Sequence, residues 1–230
     1  MALIIRRQYT DFYDAICSGD ALRLYLYMRK GIGPDTLIDV HDRTALMLAV
    51  LNDRADVVEV FLEKEPDVFK KDQYGYTALD MAAMDDNVEI SKLLCEYADL
   101  YVESTEYFSG MLGQFVVNNN LEMVEYLLEK GADPLMKVGM YRDALAEAIY
   151  HFDPTNPEIL ISILQSLIDK GTDIVQCLED VFAKEKMPED KKESIRNTAL
   201  DLMNTKRRNA ENNADLDRDI DDDVAERDLR

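Results

Sequence analysis

The chain has 230 residues and an ordinary hydrophobic fraction of 47%, enough to build a core and too much for wholesale disorder. Its charge is extreme: 26 Lys and Arg against 47 Asp and Glu give −21, a field that repels nucleic-acid phosphates and anionic membranes and attracts basic proteins. Cys17, Cys95 and Cys177 are dispersed without a CxxC pair, which suits a reducing compartment, and no apolar run approaches the length needed to span a bilayer.

Residues 1–10 form an N-terminal segment. Four apolar residues after Met1 lead directly into Arg6 and Arg7, which is no signal peptide, so a cytoplasmic protein is expected. Residues 11–38 carry an apolar face, with Tyr13, Ala15, Ile16, Leu22, Leu24, Leu26 and Met28, but no sharp motif. The first sharp signal comes in residues 39–71. Asp42-Arg43-Thr44-Ala45-Leu46-Met47-Leu48-Ala49 is followed by Asp56-Val57-Val58-Glu59-Val60-Phe61-Leu62. Residues 72–104 repeat both parts, as Tyr74-Gly75-Tyr76-Thr77-Ala78-Leu79 and Val88-Glu89-Ile90-Ser91-Lys92-Leu93-Leu94. The shift is 33 residues, and the same step leads from Leu79 to Leu112 and on to Leu145. The units at 105–137 and 138–174 follow, the former containing Leu121-Glu122-Met123-Val124-Glu125-Tyr126-Leu127-Leu128.

In each second part, apolar residues at i, i+3, i+4 and i+7 mark a helix buried on one face. Gly131 and Gly171 then stand where a helix end needs a left-handed residue. Small residues recur at Ala49, Ala82 and Ala148, letting paired helices approach closely; Phe115 breaks this column and predicts a local widening in the fourth unit.

Thr-Ala-Leu-x-x-Ala, followed by Leu-Glu-x-Val-x-x-Leu-Leu-x-x-Gly-Ala-Asp, resembles the ankyrin repeat. The resemblance covers residues 11–174 and implies an all-α solenoid of helix-turn-helix units with short β-hairpin tips. Two departures stand out. The family's Thr-Pro-Leu-His reads Thr44-Ala45-Leu46-Met47 and Thr77-Ala78-Leu79-Asp80. Threonine still caps the helix; Asp80 is expected to reach back to free N–H groups, and Met47 is not.

An insertion, Phe152-Asp153-Pro154-Thr155-Asn156-Pro157, stiffened by two prolines, interrupts the fifth unit. Residues 175–209 read as a C-terminal helical cap. One helix runs from Ile174 to Lys184, and another starts after Pro188 with Ala199, Leu200, Leu202 and Met203 as its apolar stripe. Residues 210–230 form an acidic tail, expected to be disordered or a frayed helix. There Asp215, Asp217, Asp219, Asp221, Asp223 and Glu226 have the spacing of a calcium-binding loop, but Ile220 stands where that loop needs glycine and no flanking helix pair is evident.

No catalytic residues, metal ligands or cofactor site emerge. His41 and His151, the two histidines, lie in different units, and phosphate loops and nucleophile motifs are absent. Cys95 reads as core. What the resemblance implies instead is a protein-binding surface along the hairpin tips and the exposed face of each first helix. Mapped unit by unit, this surface comprises Val40, His41, Arg43, Leu51 and Asn52, then Gln73, Tyr74, Tyr76, Met84 and Asp85. It continues with Glu106, Tyr107, Ser109, Val117 and Asn118, and ends with Gly139, Met140, Arg142, Tyr150 and His151. Aromatic, Met and Arg side chains are the types enriched in interface cores. The expected partner is a basic protein, held by a chain that is a monomer on its own and contacts neither nucleic acid nor membrane. The expected role is sequestration or inhibition, as an immunity protein blocks a toxin. The alternative is an adaptor or effector that recruits a cellular or host protein through the same groove.

Overall fold

A computed structural model of the protein describes residues 9–101, 105–137 and 143–227, with side chains at 99–101, 105–107 and 210–227 outside that description. Twelve α-helices account for nearly all regular structure there, and extended pairing is confined to isolated bridges such as Leu37–Thr44 and Asp153–Asn156. The chain divides into two compact units, Met1–Ala144 and Leu145–Arg230.

In the first unit, helices alternate between two layers. One layer holds α1 (Thr10–Ser18), α3 (Ala45–Leu51), α5 (Ala78–Met84) and α7 (Thr105–Val117), each packed on the next. The other holds α2 (Ala21–Met28), α4 (Ala55–Leu62), α6 (Val88–Tyr101) and α8 (Leu121–Glu129), each packed on the helix before it. The inner helices of the first layer, α3 and α5, are buried along most of their circumference, as helices with neighbours on several sides must be. Ala45, Leu46, Met47, Leu48, Ala49 and Val50 are all buried in α3, as are Ala78, Leu79, Met81, Ala82 and Ala83 in α5. Leu46, Leu79 and Leu112 therefore keep their register in the core, and Phe115 is buried beside them. Cys95 is buried as expected, its thiol 3.9 Å from Met111 Sδ.

Thr44 and Thr77 cap α3 and α5, their hydroxyls accepting from Met47 N–H and Asp80 N–H, each at 3.2 Å. Asp80 closes the box as anticipated: its Oδ2 lies 2.8 Å from Thr77 N. Contrary to expectation, Met47 closes the other one. Its thioether sulfur lies 3.4 Å from Thr44 N, a weak acceptor that still occupies the orphan donor at a buried position.

Where the fourth hairpin tip was expected, the structure has helix. The residue that ends each second-layer helix is left-handed in the neighbouring repeats, Glu65 at φ 51° and Gly131 at φ 90°. The equivalent position, 33 residues from each, is Ala98, buried within α6, which runs on to Tyr101. The next helix already begins at Thr105. Tyr107 and Ser109 accordingly belong to α7 rather than to a tip. Ser109 is buried, with its hydroxyl accepting from Asp133 N–H at 2.8 Å.

The second unit contains α9 (Ala144–Tyr150, from its second residue onward), α10 (Glu158–Asp169), α11 (Ile174–Lys184) and α12 (Glu189–Arg227). Gly171 takes the left-handed position between α10 and α11, at φ 74°. α12 packs on both α10 and α11. Among its described side chains Ile195 and Ala199 are buried, whereas Leu200, assigned to the stripe from sequence, is exposed. Lys192 and Arg196 lie over the Phe182 ring at 5.9 and 5.0 Å. α12 continues through the acidic segment, expected to be disordered or a frayed helix, as far as Arg227; no Gly or Pro occurs between Glu189 and Arg227 to stop it.

Candidate functional site

Two hairpin tips in the first unit share one construction. Asp39 Oδ1 accepts from the backbone N–H of His41 and Arg43 at 2.9 and 3.1 Å. One repeat later, Asp72 Oδ1 accepts from Tyr74 and Tyr76 N–H at 2.9 and 3.0 Å. Both aspartates are buried. They fold each tip by replacing backbone partners with a side-chain oxygen. Thr105 holds the equivalent place in the fourth repeat, a second reason that no tip forms there. The pair was missed in the sequence, although its spacing of 33 was a readable signal.

Arg43 answers the charge of both aspartates. Its Nη1 is 3.6 Å from Asp39 Oδ2 and its Nε 3.8 Å from Asp72 Oδ2, so one guanidinium ties two successive tips together. Buried carboxylates need such a partner, because an unpaired charge in a dry site is strongly disfavoured. Arg43 thus has a demonstrable scaffold role.

His41, Gln73 and Tyr74 are brought together across the same two tips. Gln73 N–H donates to His41 O at 2.9 Å. The Gln73 side-chain amide and the Tyr74 hydroxyl both reach His41 Nδ1, the latter at 3.2 Å. The His41 and Tyr74 rings lie 5.5 Å apart, and Tyr74 remains 59% exposed. Val40 beside them is also exposed, with Asp42 next in line. Tyr76 is half-buried.

The first-layer helix ends divide into two kinds. Met84 and Val117, one repeat apart, are exposed apolar side chains, and Asp85 is exposed beside the first. Asn52 and Asn118 are instead engaged within the chain. Asn52 Nδ2 donates to Leu48 O at 2.7 Å while its Oδ1 accepts from Cys17 Sγ at 3.4 Å. Asn118 Nδ2 donates to Ala83 O of the preceding repeat at 2.9 Å, and its Oδ1 accepts from Gln114 at 3.1 Å. The turns that follow carry left-handed Asp53, Asp86 and Asn119, and two cross-repeat bonds: Asn87 to Asp53 at 2.5 Å and Asn120 to Asp86 at 2.8 Å.

In the second unit, Tyr150 and His151 are exposed, with rings 5.1 Å apart edge to face, and His151 Nε2 is 3.7 Å from Glu147. Lys191 donates to Tyr150 O at 2.8 Å, and burial pushes its ammonium pKa down while Asp153 pulls the other way. Thr155 N–H and O–H both donate to Asp153 at 2.8 Å and hold that carboxyl below its ordinary range. The expected residues Gly139, Met140 and Arg142, and the side chains of Glu106 and Tyr107, lie outside the described residues. Among the described residues no group of three or more His, Cys, Asp or Glu could hold a metal ion, and no helix is long and apolar enough to cross a membrane.

The pattern matches known repeats. A family model of three ankyrin-repeat copies matches residues 12–104, and a model of the single ankyrin repeat matches residues 115–137. The fold is similar to the crystal structure of the human ASB11 ankyrin repeat domain, with a TM-score of 0.51 and 16% identity over 70% of this chain and 69% of that one. At that identity the likeness speaks for the fold alone. No curated protein matches the sequence.

Proposed function

The chain belongs to the ankyrin-repeat family, a scaffold that serves protein–protein interaction, and on that premise we propose that it binds a basic protein and sequesters or inhibits it. The binding surface is the pair of tips at His41 and Tyr74 with the helix ends at Met84 and Val117. One observation carries this reading. Val40, Tyr74, Met84 and Val117 are large apolar side chains left exposed at repeat positions that the scaffold does not need, and the acids Asp42 and Asp85 adjoin them. Exposed aromatic and Met groups ringed by one sign of charge suit an interface that is apolar at its centre and electrostatically selective at its rim. A net charge of −21 accelerates encounter with a basic partner, and salt slows it.

The test is affinity capture from the native cell with wild-type chain and with Tyr74→Ala/Met84→Glu, followed by a functional assay of whatever binds stoichiometrically. Sequestration requires a single basic protein that loses its activity on binding and escapes the double variant. Several partners whose activities are untouched would replace inhibition with recruitment. Equal capture by both chains would remove the surface from consideration.

A further inference from the structure

The last residues of α3, α5 and α7 are Leu51, Met84 and Val117, and these helices pack side by side. Leu51 is half-buried, while Met84 and Val117 are 49 and 44% exposed. Together they make an apolar stripe that crosses the repeats. Helices in contact lie about 8–10 Å apart, so the stripe offers one apolar position at about that interval.

Acid borders the stripe on one side. Asp85 is the C-cap of α5, Asp53 and Asp86 hold the left-handed turns after α3 and α5, and Glu89 lies in the first turn of α6; all four are exposed. Neighbouring acids are neutralised, Asp56 by Arg54 at 2.5 Å and Glu122 by Lys92 at 2.6 Å. Asp53, Asp85, Asp86 and Glu89 enter no ion pair among the described residues. Asn87 and Asn120 donate to Asp53 and Asp86 but leave their charge in place. Those two serve the turns, and Glu89 suits a helix N-terminus. Asp85 serves no such need: a helix C-terminus already carries partial negative charge, and neither α3 nor α5 places a base in its last turn. Back along the helices, away from these turns, Leu48 and Met81 are buried, Gln114 is neutral, and the Asp80 carboxylate is taken up by Thr77.

The spacing of the stripe selects a backbone. In a strand, residues on one face recur at about 7 and 13 Å, which misses it. An α-helix laid across the repeats brings i and i+7 to one side at about 10 Å, which meets it. A polyproline helix repeats near 9 Å but has about one flanking residue per repeat, against two for the α-helix, at i+1 and i+4. Asp85, Asp86 and Glu89 concentrate three exposed carboxylates in a single repeat, which the denser flank of an α-helix answers.

We propose that the occupant of this face is a basic amphipathic helix of the partner, lying across α3, α5 and α7. Apolar residues at i and i+7 meet Leu51, Met84 and Val117, and Lys or Arg at i+1 and i+4 face Asp85, Asp86 and Glu89. The apolar contacts carry affinity, and charge on one side sets the direction in which the helix runs. This rests on the reading that the face holds a basic protein, and it names the part of that protein that is held.

Fluorescence anisotropy with the full chain and labelled peptides tests this. The probe is an alanine-based helix of about 20 residues with Leu at i, i+7 and i+14 and Lys at i+1, i+4, i+8 and i+11. A second peptide moves the same lysines to the back, at i+2, i+6, i+9 and i+13, and a third is proline-rich with equal charge. The probe should bind about tenfold or more tightly than either. Asp85→Lys/Glu89→Lys should weaken it about tenfold or more, and Asp85→Asn/Glu89→Gln in the same direction by less. Glu63→Lys/Glu96→Lys, an equal change of charge at exposed positions further along the second layer, should weaken it much less. Equal binding of the two helices, tighter binding of the proline-rich peptide, or equal losses in the two lysine variants overturns the proposal. A probe that does not bind overturns it too; if affinity capture still yields a basic protein that escapes Tyr74→Ala/Met84→Glu, the surface stands and only the helix falls. Capture indifferent to that double variant instead strikes the surface itself, and the helix with it.

Discussion

Replacing Gly19 by alanine probes how the first repeat is joined to the second. Gly19 ends α1 at φ 67°, where a side chain meets its own backbone and non-glycine residues lose about 1 kcal/mol or somewhat more. An added Cβ would also stand 1.4 Å from Arg54 Nη2, 2.4 Å from Arg54 Cζ and 2.7 Å from Asp56 Oδ2. Arg54 is held there on two sides. Its Nη1 donates to Cys17 O at 3.0 Å, covering a carbonyl at the end of α1, and its Nε and Nη2 grip Asp56 at 2.8 and 2.5 Å. The methyl group has space only if that guanidinium swings aside and gives up its Cys17 and Asp56 contacts, so Gly19→Ala should cost more than the backbone penalty alone. Gly31 is the control: its φ is 80° and an added Cβ meets nothing within 4 Å, so Gly31→Ala should cost about 1 kcal/mol. Urea unfolding followed by circular dichroism reads both. In an Arg54→Ala background the Gly19→Ala penalty should fall to that of Gly31→Ala, because the obstruction is gone. Equal penalties at Gly19 and Gly31, or a Gly19 penalty indifferent to Arg54, would refute this account of the joint.

Asn118→Ala should lower stability by about 1–2 kcal/mol in the same assay, since Ala83 O loses its cross-repeat donor. Glu65→Gly should instead raise it by about 0.5–1 kcal/mol, because an exposed glutamate now bears φ 51°; a loss there would mean that the glutamate side chain does something the backbone argument omits. In α12, Ile195→Ala should cost about 2–4 kcal/mol and Leu200→Ala almost nothing, which distinguishes the buried side of that helix from the side expected from sequence. Acid should weaken the second unit. Asp169 is held below the ordinary value of 3.8 chiefly by its hydrogen bond from Lys206, and Glu189 below 4.5 chiefly by that from Arg196. A carboxyl depressed in the folded state stabilises fully above its unfolded value, and that contribution disappears as pH falls through the folded one. The melting temperature should therefore drop as pH is lowered below the ordinary carboxyl range, with a shallower slope in Asp169→Asn; an unchanged slope would show that the Lys206 contact does not persist in solution.

The scaffold was legible because its requirements recur. Leu46, Leu79 and Leu112 reach the core and Thr44 and Thr77 cap their helices, each required by one repeat and then required again 33 residues on, and Gly131 and Gly171 both take left-handed turns after a second-layer helix or its counterpart in the fifth repeat. The misreadings lie where a repeat departs from its neighbours. Ala98 replaces a left-handed residue and Thr105 replaces an aspartate; both changes are visible in the sequence, but their consequence, a tip converted to helix, follows only from knowing what the missing residues do. Met47 differs from expectation because a thioether is a poor acceptor in general, whereas the local alternative is a bare N–H at a buried position. Leu200 was misplaced because the stripe was read from too few apolar positions, and the helix presses on its neighbours through Ile195 and Ala199.

The candidate surface was harder to read, for a reason built into repeat proteins. Residue type alone put Arg43, Asn52 and Asn118 beside Tyr74 and Met84, because polar and aromatic side chains at variable positions all resemble contacts waiting for a partner. The first three answer needs created by the stack itself. Arg43 faces two buried carboxylates, and the two asparagines satisfy carbonyls at helix ends, one of them in the adjacent repeat. Subtracting those leaves the tip of Tyr74, with His41 and Gln73 bracing it, and the apolar ends Met84 and Val117. Nothing in the stack requires a large apolar side chain to be exposed there. The contrast gives the surface a test that needs no knowledge of the partner: Asn118→Ala should move stability and leave binding per folded molecule unchanged, whereas Met84→Ala should leave stability nearly unchanged and weaken binding. If both variants shift the same quantity, scaffold and surface are not separable in this chain and the partner is held elsewhere.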